Sequence, residues 1–68
     1  MRENLRNARL EKGMTQKQVA EYLHTAERYY KQIEYGERLG SIAMWDMLED
    51  LFGIHQRKLR EVEDKKVE

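Results

Sequence analysis

Apolar residues recur every three or four positions along most of this sequence, and short breaks divide the pattern into five segments. Such spacing places apolar side chains on one face of an α-helix, so each segment predicts an amphipathic helix. The chain has no proline, and 38% of its residues are charged, which favours an all-helical protein with a polar surface. The predicted helices span about residues 2–12, 16–23, 26–35, 42–52 and 55–63.

Glycine and hydroxyl residues mark the expected ends of these helices. Gly13, Gly36 and Gly53 follow the last apolar position of a segment, where a helix commonly ends in a left-handed residue. Thr15 opens the sequence TQKQ, a capping-box pattern that starts the second helix, and Ser41 is the expected cap of the fourth. The apolar inner faces predict a core of Leu5, Ala8, Val19, Ala20, Leu23, Tyr30, Ile33, Ile42, Trp45, Leu48, Phe52, Leu59 and Val62.

Residues 16–35 have the spacing of a helix-turn-helix, in which two helices joined by a short turn cross at a steep angle. Ala20 supplies the small side chain that such a close crossing needs. His24 lies in the turn, where we expect a left-handed backbone, which histidine tolerates better than most residues. With its inner face packed, the third helix points a polar set outward and fits the major groove of DNA. That set is Glu27, Arg28, Tyr29, Lys31 and Gln32.

The charge distribution weakens the expected attraction to DNA. Thirteen basic and thirteen acidic residues give a net charge of +0, whereas DNA-binding domains usually have a basic excess. Residues 1–36 contain seven basic and five acidic side chains, a net +2, and the remaining residues balance this with −2. We therefore expect modest non-specific affinity for DNA.

The composition disfavours several classes of protein. There is no cysteine for a disulfide or thiolate metal site, and His24 and His55 have no partner at ligand spacing. No nucleophile–base pair can be drawn, so we expect no enzyme activity and no cofactor or metal. Apolar runs are short and no apolar leader follows the first residues, so we expect a cytoplasmic protein without a membrane span.

The stretches RLEKGMTQ at residues 9–16 and YYKQIEYGER at residues 29–38 are the most specific motifs of the sequence. Together with VAEYL at residues 19–23 and Ser41, they resemble the Cro/phage-repressor (XRE-type) helix-turn-helix family over about residues 2–62. The resemblance implies an all-α, compact five-helix lambda-repressor-like domain. It also implies a bacterial or phage transcription regulator that binds double-stranded DNA. Such regulators are commonly homodimers on a two-fold operator, and repression is the default mechanism.

The resemblance also assigns roles by position. Base reading falls to Glu27, Arg28 and Gln32. Arg9 and Glu34 match an internal ion pair of the family, and their places beside apolar neighbours predict that this pair is largely buried. By the same resemblance, Gln16 and Arg38 contact the DNA backbone or support the third helix. Further candidates for such roles are Lys17, Thr25, Tyr29, Lys31 and Tyr35, and the alternative for the two tyrosines is a plain surface position.

Some positions depart from the family pattern or allow two interpretations. Ala26 stands where a Ser or Thr usually caps the third helix, so Thr25 is an alternative cap. Glu27 either accepts a hydrogen bond from cytosine N4 or only stabilises the helix N-terminus. Glu49 replaces a small apolar residue, so it either meets Arg6 or is exposed. The outward face of the third helix is either a reading surface or simply solvated.

Met44, Met47 and Leu51 widen the apolar stripe of the fourth helix beyond what one core needs. The two methionines either fill the core or form a surface for a homodimer or another partner. The latter leads to a second hypothesis, an antitoxin-like or modulator protein that acts mainly through protein–protein interaction. We expect one domain over residues 1–63 and a charged tail over residues 64–68.

Overall fold

Five helices and their connections make up residues 1–62, the part of the chain that the computed structural model describes. In chain order they are α1 (Glu3–Glu11), α2 (Gln16–Tyr22), α3 (Glu27–Tyr35), α4 (Ile42–Phe52) and α5 (Gln56–Leu59). The predicted all-α class is confirmed, and the first four helices lie within a residue or two of their expected bounds. The expected tail, residues 64–68, lies outside the described residues.

The fifth helix is shorter than predicted, because it ends at Leu59 instead of reaching residue 63. Leu59 is fully buried, but the next apolar residue, Val62, is 49% exposed and adds little burial to hold another turn. Val62 was predicted as a core residue, and this prediction is wrong. Its side chain lies beside Gly36, at the end of α3.

Side-chain caps begin two of the helices as predicted. The Thr15 hydroxyl accepts from the Gln18 backbone N–H at 3.0 Å, and the Gln18 side chain accepts from the Thr15 N–H at 2.9 Å. The Ser41 hydroxyl accepts from the Met44 N–H at 3.1 Å. Thr25 does not cap α3: Ala26 is the N-cap residue, without a side-chain hydrogen bond, and acidic Glu27 follows in the first turn.

The core contains most of the predicted residues, with one exchange on α4. Ile42 is 77% exposed, because a helical side chain leans toward the N-terminus and this one, at the first position, extends past the core. Met44 is buried instead, beside Trp45 and Leu48, so its assignment to a dimer surface is wrong. Phe52, Met47 and Leu51 are partly buried against the same core.

The turn between α2 and α3 brings these two helices into contact. Ala20 is buried at the crossing, and its carbonyl accepts from the Thr25 N–H at 2.9 Å. His24 has a φ of 60°, the left-handed backbone expected for this turn. Around this pair, α1 packs against α3 and α5, and α4 packs against α5. The helix-turn-helix is therefore supported from behind and leaves one face of α3 open.

Candidate nucleic-acid interface

A buried carboxylate lies directly beneath the open face of α3. The Glu34 side chain is 1% exposed and accepts two hydrogen bonds from Arg9, Nε to Oε2 at 2.7 Å and Nη2 to Oε1 at 3.2 Å. Gln16 Nε2 donates to Oε1 at 2.6 Å, and the Tyr30 hydroxyl donates to Oε2 at 3.1 Å. The two residues that were predicted to pair thus lie in contact, within a larger network than the pair alone.

The network joins α3 to the two helices that position it, α1 and α2. Arg9 comes from α1, Gln16 from the start of α2, and Glu34 from the last turn of α3. Arg9 also donates to the Met14 carbonyl at 3.0 Å, which ties down the turn before α2. Every buried side-chain nitrogen and oxygen among residues 1–62 has a hydrogen-bond partner. The Glu34 carboxylate therefore holds α3 in a fixed position relative to α1 and α2.

The pKa shifts in this network keep Arg9 charged and Tyr30 neutral. The hydrogen bond to Glu34 raises the pKa of Arg9, against a smaller opposing effect of burial. Burial raises the pKa of Tyr30 far above that of a free phenol, and the Glu34 charge raises it further. Tyr30 consequently stays protonated and acts only as a hydrogen-bond donor to the carboxylate.

The outward face of α3 carries the polar side chains predicted there. Glu27 and Arg28 are exposed, and Lys31 lies 3.6 Å from Glu27, Nζ to Oε2, on the next turn. The two ion pairs among residues 1–62 are this one and Arg9–Glu34, so Arg28 has no anionic partner in that part of the chain. Its guanidinium is therefore available to a ligand.

The loop after α3 adds a third cation, Arg38, to this face. Arg38 Nε donates to Gln32 Oε1 at 2.8 Å, and the guanidinium carbon lies 5.6 Å from the centroid of the Tyr29 ring. An open cleft of about 410 Å³ runs between the loop and α3. Its lining residues are Tyr29, Gln32, Glu37, Arg38, Leu39 and Gly40.

A sequence model of the Helix-turn-helix family matches residues 5–61, which include the whole helix-turn-helix and the loop after it. The chain belongs to this family, of the Cro/phage-repressor (XRE) type. It is therefore a DNA-binding helix-turn-helix regulator with a lambda-repressor-like fold, and α3 is the second helix of its helix-turn-helix. No curated protein and no solved structure matches the chain.

In this helix-turn-helix regulator, the remaining predicted contact residues lie on α2, in the turn and at the end of α3. Lys17 and Tyr35 are exposed and Thr25 is half-buried. Gln16 is half-buried and donates inward to Glu34, so it links the start of α2 to the last turn of α3. Among residues 1–62, no group of three His, Cys, Asp or Glu side chains could hold a metal ion, and no helix has the length and apolar content of a membrane span.

Arg2 is a residue that sequence reasoning missed. Its buried guanidinium donates to the carbonyls of Ile33 at 2.6 Å, Arg38 at 3.0 Å and Arg60 at 3.0 Å, and lies 5.2 Å from the Trp45 ring centroid. Burial lowers the pKa of Arg2, and the charge of Arg60 lowers it further. No sequence signal marks it, because an arginine near a polar N-terminus has the pattern of a solvated charge. Arg2 ties the end of α3 to the loop that carries Arg38.

Proposed function

We propose that the protein is a transcriptional repressor that binds a two-fold DNA operator as a homodimer, with α3 in the major groove. The observation that carries the proposal is the exposed Arg28, which has no anionic partner among residues 1–62 and lies on a helix that the buried Glu34 network holds in place. The nine residues of α3 span about 13 Å, and a helix of this kind fits the groove. A regulator of this kind would act in the cytoplasm of a bacterium or a phage-infected cell.

Base reading on this proposal belongs to Glu27, Arg28 and Gln32. An arginine with both terminal nitrogens free can donate to N7 and O6 of guanine, which is the commonest specific contact in the major groove. Glu27 already faces Lys31, so its carboxylate accepts from a cytosine N4 only if that contact opens. Arg28 is thus the residue on which sequence preference depends most.

Phosphate binding would supply most of the affinity, through cations on α2, on α3 and in the loop after α3. Lys17, Lys31 and Arg38 are candidates, and three neutralised phosphates per subunit predict a salt slope of roughly −5 for the dimer. Gln16, Thr25, Tyr29 and Tyr35 would add hydrogen bonds or packing to the DNA backbone.

Selection from a pool of random DNA duplexes tests this function. We expect an enriched palindrome, and Arg28→Ala should lose about 1–3 kcal/mol at one symmetric base position. Arg57→Ala is the matched control, because Arg57 is exposed on α5, which packs against α1 and α4. No enriched sequence for the wild type, or an unchanged preference in Arg28→Ala, would contradict the proposed reading.

A homodimer needs an apolar contact surface. Of the three α4 residues considered for it, Met44 is buried, so Met47 and Leu51 are the remaining candidates. Both are partly buried at the edge of the core, so they present some apolar area to a second copy. Met47→Lys should shift the sedimentation equilibrium toward monomer. Leu10→Lys, at an exposed apolar position on α1, is the control. Equal sedimentation of Met47→Lys and wild type, also on a two-site duplex, would exclude this interface.

A second candidate function is that of an antitoxin-like or modulator protein that acts mainly by binding another protein. The observations that favour it are the net charge of +0 and the 77% exposure of both Leu39 and Ile42, which flank the cap of α4. DNA affinity that falls steeply with salt favours the repressor. A stable hetero-complex with salt-insensitive affinity favours the second candidate.

A further inference from the structure

The side chains of Arg38 and Gln32 are hydrogen-bonded to each other at the edge of the outward face of α3. The hydrogen bond from Arg38 Nε to Gln32 Oε1 and the stacking over Tyr29 act on the same guanidinium. Together they hold the guanidinium plane in one orientation. The hydrogen bond fixes the direction of the Nε–H bond, and the Tyr29 ring fixes the tilt of the plane. The contact therefore also fixes which end of the Gln32 amide faces the loop.

The backbone that carries Arg38 is itself anchored. Its carbonyl accepts from Arg2 Nη1 at 3.0 Å, and the next carbonyl, of Leu39, accepts from Trp45 Nε1 at 2.8 Å. Gly40 then turns the chain toward α4 with a φ of +81°, where a Cβ would collide with the Met44 methyl. Arg38 thus reaches Gln32 from a loop of fixed path, which lowers the entropy lost when the side chains meet.

The two side chains differ in the hydrogen bonds that they can still make. Arg38 uses one of its five donors on Gln32, so its terminal nitrogens can hold a phosphate end-on. The oxygen of the Gln32 amide is directed to Arg38, whereas Nε2 has no protein partner among residues 1–62. Toward a ligand, Gln32 is therefore mainly a donor.

We propose that Arg38 is a specificity-determining residue that couples a DNA phosphate to base reading, because it holds Gln32 as a donor toward the groove. This inference rests on the proposed function. A glutamine with both ends available prefers adenine, from which it accepts at N6 while it donates to N7. Guanine instead presents two acceptors, N7 and O6, and cytosine presents a donor. Gln32 as Arg38 holds it should prefer guanine.

Competition binding to duplexes that differ at one base pair tests the coupling. The relevant pair is the one at which Gln32→Ala loses discrimination. At that position, the wild type should bind the duplex with guanine at least about fivefold more tightly than the duplex with adenine. Arg38→Lys keeps a cation for the phosphate but loses the planar Nε donor, so it should lose or reverse the guanine preference with little loss of overall affinity. Arg38→Met should show the same shift and weaker binding to every duplex.

A control variant on α5 and three contrary results complete the test. Arg57→Met, at an exposed position on α5, should keep both affinity and preference. A common loss on all duplexes in both Arg38 variants, with the wild-type base ratio kept, would make Arg38 a phosphate contact only. A wild-type preference for adenine, or a Gln32→Ala variant that changes no position, also overturns the inference while the repressor function stands. Absence of any sequence preference in the wild type refutes the proposed function itself.

Discussion

Removal of either partner of the Arg9–Glu34 ion pair should destabilise the protein strongly, because the other charge would stay buried. The side chains are 10% and 1% exposed, so little water can replace the missing partner. Breaking a buried pair costs about 3–5 kcal/mol, and the near-complete burial of Glu34 places Arg9→Met in that range. A chain of 68 residues has a total stability of about 3–10 kcal/mol, so a single substitution should unfold much of the population.

The double variant separates the pair from its surroundings. In Arg9→Met/Glu34→Gln no charge is left buried, and Gln16 and Tyr30 can still hydrogen-bond to the neutral amide. We therefore expect the double variant to lose less than the sum of the single losses by about 2 kcal/mol or more. Urea unfolding at 25 °C, with sucrose added to keep the single variants folded, measures all four free energies.

A second pair on the same helix provides the matched control. Glu27 and Lys31 are both more than 40% exposed and 3.6 Å apart, so the cycle Glu27→Gln/Lys31→Met should give a coupling of only about 0.3–0.5 kcal/mol. Additive losses in the Arg9–Glu34 cycle, within about 0.5 kcal/mol, would show that the two side chains do not meet in solution. The packing of α1 against α3 would then be wrong.

Three further substitutions test local features of the fold. Thr15→Ala removes the capping box and should lower the unfolding free energy by about 1 kcal/mol, or Tm by about 4–8 °C, whereas Thr15→Ser should recover most of the loss. His24→Val places a β-branched residue at φ 60° and should lower Tm, but His24→Gly should not. Burial and the Glu34 charge raise the pKa of Tyr30, so its neutral form stabilises the fold below about pH 10, and this contribution is lost as the pH rises further. The unfolding free energy of Tyr30→Phe should therefore fall less than that of the wild type between about pH 9 and 11.

The sequence by itself determined the helices and the turn of the DNA-binding motif. Periodicity and the capping patterns at Thr15 and Ser41 depend on residues within four positions of each other, so they could be read without knowledge of the tertiary contacts. The left-handed backbone at His24 is likewise a property of the turn itself. The meeting of Arg9 and Glu34 was also foreseen, because the family pattern and the helical faces place both beside the core.

Only the tertiary structure decided which side chains of a wide apolar stripe face inward and which distant groups meet. Met44 is buried and Ile42 exposed because the position of the core relative to the start of α4 depends on the neighbouring helices. The contacts of Arg2 reach residues 31 to 58 positions away, and the link between Arg38 and Gln32 depends on the path of a loop. Such contacts depend on how the helices pack, and helical periodicity determines only the face on which a residue lies.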